Sequence, residues 1–215
     1  RLTCVPTTFD ASCTKSATVP RFADVGTTAE VMLASQDGFG DRLLATARAS
    51  GKIILFGEHA VVHGFPAIAL PIERDLSVTL FVTSDVDGPS LLWRELSGLP
   101  QARHTVPDDA GKALDRFLLA LLAKCGPRVK TFRIVVDTNL PKGCGLGASA
   151  ALAVAVLRAI HLAFGQNVAA REMTRQAIEL EKAFHGNPSG VDPAVVAHEF
   201  GIVFQRRDDD IVVRP

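Results

Sequence analysis

The sequence predicts a domain in which β-strands are mixed with buried α-helices, and three observations carry that expectation. Residues 131–137 (Thr-Phe-Arg-Ile-Val-Val-Asp) are β-branched and aromatic, the composition of a strand. Residues 148–164 form an apolar run with alanine at almost every second position, long for a strand and suited to a buried helix. Between them lies Pro141-Lys142-Gly143-Cys144-Gly145-Leu146-Gly147-Ala148-Ser149-Ala150, where three glycines at alternate positions let the backbone curl. Together with the unpaired N–H groups of a helix start, that turn makes a cradle suited to phosphate. The same order also serves as a plain structural turn. It is not a Walker A loop, because no Lys-Ser/Thr pair follows the glycines, and it does not match the dinucleotide spacing.

The remaining elements follow in chain order. Residues 52–56 read as a short strand broken at Gly57, with Glu58 and His59 directly after the break. Two further strands are expected at 67–72 and 76–83, and a turn at 85–89 leads into Leu91-Leu92-Trp93. Residues 108–124 predict a packing helix with Asp108 as N-cap, an apolar stripe through Leu114, Phe117, Leu118, Leu121 and Leu122, and Gly126-Pro127 as its stop. Asn167 is a candidate cap for a helix over 168–184. Glu181 falls close to the inward face of that helix, where a charge is costly unless paired or metal-bound; swinging out beside Lys182 is the alternative. Asp192 before Pro193 reads as the N-cap and first turn of a helix over 194–197, and a strand follows at 202–205. A strand-like segment, 211–213, closes the chain.

Composition narrows the function. At 47% hydrophobic, the 215-residue chain can bury the core of one domain, or of one domain and a fragment of another. Twenty-three basic residues balance twenty-three acidic ones, so no electrostatic footprint points to nucleic acid or an anionic membrane. The four cysteines lack metal-ligand or paired spacing, which fits a reduced, cytoplasmic setting. No uninterrupted apolar run reaches membrane-spanning length without a charge, and the first residues do not read as the basic-then-apolar pattern of a signal peptide. Residues 1–31 are rich in Thr, Ser, Ala and Pro without periodicity, and the first methionine is Met32. They read either as translated from upstream of a start or as an ordinary flexible tail. The expected division is a tail over 1–46 and the domain over 47–215.

Three motifs carry a family resemblance. Pro141, three residues, then Gly145-Leu146-Gly147-Ala148-Ser149-Ala150 resembles the phosphate loop of the GHMP kinases, with Ala148 in place of the first of two serines. Gly51-Lys52-Ile53-Ile54-Leu55-Phe56-Gly57-Glu58-His59-Ala60-Val61-Val62 is similar to the first motif of the mevalonate branch, with Phe56 where a His is common. Galactokinases have Thr-Asp where this chain has Ala60-Val61. Glu181 followed by His185-Gly186-Asn187-Pro188-Ser189-Gly190-Val191-Asp192 resembles a third segment of that branch. The chain departs from the pattern at Glu199-Phe200-Gly201, where the family places a Gly-Gly pair, and nothing after Gly201 resembles the family's further Gly-rich loop.

The resemblance implies an α+β fold, the GHMP-kinase N-terminal domain, with a mixed sheet, helices packed on one side and the C-terminal domain missing. It implies transfer of the ATP γ-phosphoryl group to the primary hydroxyl of mevalonate. Pro141, Lys142, Gly143, Cys144, Gly145, Leu146, Gly147, Ala148, Ser149 and Ala150 would hold the nucleotide, and Ser149 with Glu181 would bind Mg²⁺. Asp192 and Lys52 would be catalytic, and Glu58 and His59 would join them in lining the substrate region. An ammonium beside Asp192 weakens it as a base, so base and hydroxyl-orienting roles both stay open. A sister kinase for phosphomevalonate or a sugar, and a non-catalytic fragment, are the rival readings. The expected partner is the small-molecule substrate, with room for a homodimer of the full-length protein. As a 215-residue chain without the second half, it is expected not to be a working kinase.

Overall fold

The computed structural model describes residues 42–82, 90–95, 116–117, 120, 132–141, 143–207 and 210–215. Its elements are β1 (Arg42–Phe56), a 3₁₀ turn (Ala60–His63), β2 (Ala67–Val82), β3 (Ser90–Glu95), β4 (Phe132–Thr138), α1 (Ala148–Ala163), α2 (Ala170–Glu181), α3 (Val191–His198), β5 (Ile202–Arg207) and β6 (Asp210–Arg214). Residues 1–41 of the tail expected over 1–46, the turn expected at 85–89 and Lys142 lie outside the described residues. So does most of the helix expected over 108–124, of which Arg116, Phe117 and Ala120 are helical and Phe117 is fully buried.

The long strand β2 is the axis of the sheet. Along one edge it pairs antiparallel with β1; along the other it meets first β5 (Ala67–Ala69) and then β4 (Leu76–Val82), both antiparallel. β3 joins β4 in parallel and β6 joins β5 antiparallel, so the six described strands form one mixed sheet. Burial alternates along β2: Ala67, Ala69, Leu76, Val78 and Leu80 face the core, the period-two pattern of a sheet with one covered face.

α1 covers that face. It packs on β1 and β2 and is flanked by α2 and α3. Ala150 to Leu157 are all buried, because a helix enclosed on every side cannot carry a polar stripe. Its many alanines let the neighbouring elements approach closely. The fold is thus α+β with a mixed sheet and helices against one face, as the resemblance implies.

Several boundaries differ from expectation. β1 begins at Arg42, so residues 42–46 are strand rather than tail. The strands expected at 67–72 and 76–83 are one strand, and the apparent break is a bulge. Gly51 faces Ile72 while its neighbour Ser50 faces Asp75, which leaves Glu73 and Arg74 as exposed extra residues in β2. α2 starts later, with Ala169 rather than Asn167 at the N-cap, and ends at Glu181. α3 starts earlier: Gly190 is its N-cap and Asp192 sits inside the first turn, so Asp192 is not a capping residue. At the other end of α3, Glu199 takes the left-handed conformation (φ 61°) at the position where the resemblance leads one to expect glycine.

Candidate active site

β1 carries Lys52 into the interior, where its backbone N–H donates to Leu146 O of the glycine-rich loop at 3.0 Å. The loop therefore docks on the outer edge of β1. Gly143, Gly145 and Gly147 all have positive φ (71°, 68° and 75°). Only the last is forced by close approach: a Cβ on Gly147 would lie 2.6 Å from Lys52 Cγ. Gly143 and Gly145 face open space, and Cys144 between them is exposed. Gly147 is also the N-cap of α1 and supplies no capping side chain. The first-turn N–H groups of α1 thus face an open, glycine-lined mouth, an arrangement that accepts anions.

Two pairs of side chains meet at this mouth. Lys52 Nζ lies 2.8 Å from Asp192 Oδ2; the Lys52 side chain is 6% exposed and that of Asp192 27%. β1 and the start of α3 are thereby joined by a largely buried ion pair. Beside it, Ser149 Oγ in the first turn of α1 donates to Glu181 Oε1 at 3.1 Å. Glu181 ends α2 and is buried. Burial, followed by the nearby Asp192 carboxylate, pushes the Glu181 carboxyl up to about 7, against the opposite pull of the Ser149 hydrogen bond and Lys52. Of the two positions open to Glu181, the structure takes the inward one.

The structure thus brings together Lys52, Ser149, Glu181, Asp192 and the loop residues from Pro141 to Ala150 that are described. Glu58 and His59 stand apart. They occupy the exposed turn after β1, and what sets them apart is only that no direct hydrogen bond or ion pair joins them to these groups among the described residues. His185 is a site residue to which sequence reasoning gave no role: its Nε2 lies 3.1 Å from Ser149 Oγ. The available signal was its place four residues after Glu181, and its backbone N–H does donate to Glu181 O at 2.8 Å.

Ser149 and Glu181 offer two adjacent hard oxygens, one of them on a buried carboxylate that a cation would stabilise. That donor set fits Mg²⁺, which takes few protein ligands and keeps several waters. Among the described residues no cluster of three or more His, Cys, Asp or Glu could hold a metal by itself. No described helix is long and apolar enough to cross a membrane.

Residues 112–199 match the GHMP kinases N terminal domain family. The chain carries a GHMP kinase N-terminal domain. It is 34% identical over 180 residues to mevalonate kinase from Aeropyrum pernix, covering 81% of this chain and 54% of that protein. It is 35% identical to mevalonate kinase from Methanothermobacter thermautotrophicus, covering 76% of this chain and 52% of that one. Among solved structures, mevalonate kinase from L. major in complex with R-mevalonate superposes with a TM-score of 0.65 at 26% identity, covering 79% of this chain and 51% of that one. The chain spans about half the length of the curated relatives it matches.

Proposed function

We propose that this domain serves an ATP-dependent kinase that phosphorylates the primary hydroxyl of mevalonate to give 5-phosphomevalonate. The observation that carries the reading is the Lys52–Asp192 pair, 2.8 Å apart at the foot of a glycine-rich loop joined to a helix N-terminus. The likeness to mevalonate kinases over most of the chain supports the choice of acceptor.

Phosphoryl transfer asks a protein mainly to position phosphates and neutralise charge. Backbone N–H groups of the loop and of the α1 first turn would bind the nucleotide phosphates, and Lys52 would meet charge developing on the transferred group. Asp192 would hold the acceptor hydroxyl and take its proton as the new O–P bond forms and the bond from the γ-phosphorus to the bridging oxygen breaks, with ADP as the leaving group. The ion pair orients Asp192 for that contact. Ser149 Oγ and Glu181 would hold Mg²⁺, which when bound would neutralise charge on the phosphates. Glu58 and His59, in the turn that follows the Lys52 strand, would line the acceptor region.

An ATP-consumption assay of the full-length protein over mevalonate, phosphomevalonate and galactose tests the reading. Turnover with mevalonate is expected. Turnover with phosphomevalonate or galactose alone would assign the site to a sister kinase, and turnover with none would leave a binding domain.

A further inference from the structure

α3 is held at two points. Its first turn carries Asp192 to Lys52, and its last carbonyls meet Arg158, a residue of α1 outside the site. Arg158 Nη1 donates to Arg48 O of β1 at 2.8 Å and lies 2.6 Å from Glu199 Oε1. Arg158 Nη2 donates to Val196 O at 3.4 Å and Ala197 O at 3.3 Å. One half-buried guanidinium therefore ties the outer edge of β1 to the end of α3. Arg48 and Lys52 lie on the same strand, so both ties link β1 to α3.

Apolar burial sets how deep α3 lies, but it is non-directional. α3 is only eight residues long, and its Gly190 N-cap offers no side chain. Directional contacts add to what close packing of its buried residues fixes, and at the end away from the site the Arg158 contacts supply them. Glu199 keeps a left-handed backbone conformation that a non-glycine residue rarely adopts. That strain persists where surrounding contacts over-determine it, and the Arg158 ion pair is such a contact.

We propose that Arg158 and Glu199 form a clamp that positions Asp192 against Lys52, so that both are positioning residues for the transfer step. This rests on the kinase reading. Because the clamp holds a helix rather than the nucleotide, loosening it should affect turnover more than nucleotide affinity.

The test uses Glu199→Gly, Arg158→Lys and the double variant in the full-length protein. Glu199→Gly suits the left-handed backbone and so removes the ion pair without adding strain. Its kcat with mevalonate should fall on the order of tenfold, as expected when a catalytic group is misplaced by less than about 1 Å, with KM for ATP unchanged. Arg158→Lys keeps the charge but loses the fork geometry, and should fall similarly. The double variant should be no worse than the weaker single one.

Acylation of Lys52 by an amine-reactive ester, followed by peptide mass spectrometry, reads the pair without catalysis. Both single variants should label faster than the parent. Unchanged Lys52 labelling in both would overturn the clamp, whatever happens to turnover. Faster labelling in a protein whose parent form lacks mevalonate-dependent turnover would support the clamp and overturn the kinase reading instead.

Discussion

Glu181 illustrates how one buried carboxyl can tie stability to pH. With its carboxyl raised from 4.5 to about 7, the folded state keeps a proton through a window in which the unfolded chain has lost it. The contribution of Glu181 to the stability of the ligand-free protein is then fully present below about pH 4.5 and is lost as pH rises through about 7, by about 3 kcal/mol in all. Glu181→Gln keeps an oxygen for Ser149 and removes the titration. The melting temperature of the parent minus that of Glu181→Gln should decline from pH 4.5 to 7.5. A difference that stays level across that range would contradict the account. Asp192→Asn differs in kind. Since Asp192 does not cap α3, its loss is felt through Lys52, a buried cation left with a weaker partner. Unfolding in urea should show a cost of about 1–3 kcal/mol, and turnover in the full-length protein should drop roughly 10²–10⁴-fold. An unaltered kcat would remove Asp192 from the chemistry.

The glycine-rich loop allows two similar substitutions to be compared within one element. Gly143 and Gly147 have almost the same positive φ, but only Gly147 is pressed against Lys52. Gly143→Ala should cost about 1–2 kcal/mol, the backbone penalty alone. Gly147→Ala should cost clearly more and should release Lys52, because its methyl would overlap the Lys52 stem. Equal urea midpoints for the two variants would mean that the close approach carries no energy. Much of this element was legible in advance: three alternate glycines between a β-branched strand and an alanine-rich helix left few other geometries. The pairing of Ser149 with Glu181 was legible only as a cost, since an inward Glu needs a partner. The start of α3 was misread because Asp-Pro is a strong local capping signal, whereas Gly190 wins by entering a tight site beside Ile178. The bulge in β2 was misread for a related reason, as Glu73-Arg74 breaks the apolar alternation without breaking the strand. Nothing local announced Arg158, whose partners lie on β1 and at the C-terminal end of α3.

At the scale of the whole molecule, the sheet face turned away from α1 is conspicuously apolar. Ile53 opposes Leu70, and Phe56 opposes Ile68, which opposes Val203; all five are more than a third exposed. Phe65 and Val62, in the segment that joins β1 to β2, are each 62% exposed. Such a continuous patch binds hydrophobic dyes and promotes self-association. Replacing Phe56, 70% exposed, by Ser should lower dye fluorescence and raise the concentration at which the 215-residue chain stays monomeric, with the melting temperature nearly unchanged. A large drop in melting temperature would show that Phe56 supports the core.

The bulge at Glu73-Arg74 also has a kinetic meaning. It falls where β2 changes partners, from β5 below to β4 above. β1 and β2 are neighbours in sequence and can zip as a hairpin early, while β5 follows α1, α2 and α3 in the chain, so its pairing with β2 closes a much longer loop. The kink thus marks a seam between a part of β2 completed early and a part completed late. Amides of the Leu76–Val82 segment should resist hydrogen exchange longer than those of Ala67–Ala69. Pulse labelling during refolding should protect them first, with the pairing of Ala67–Ala69 to β5 following.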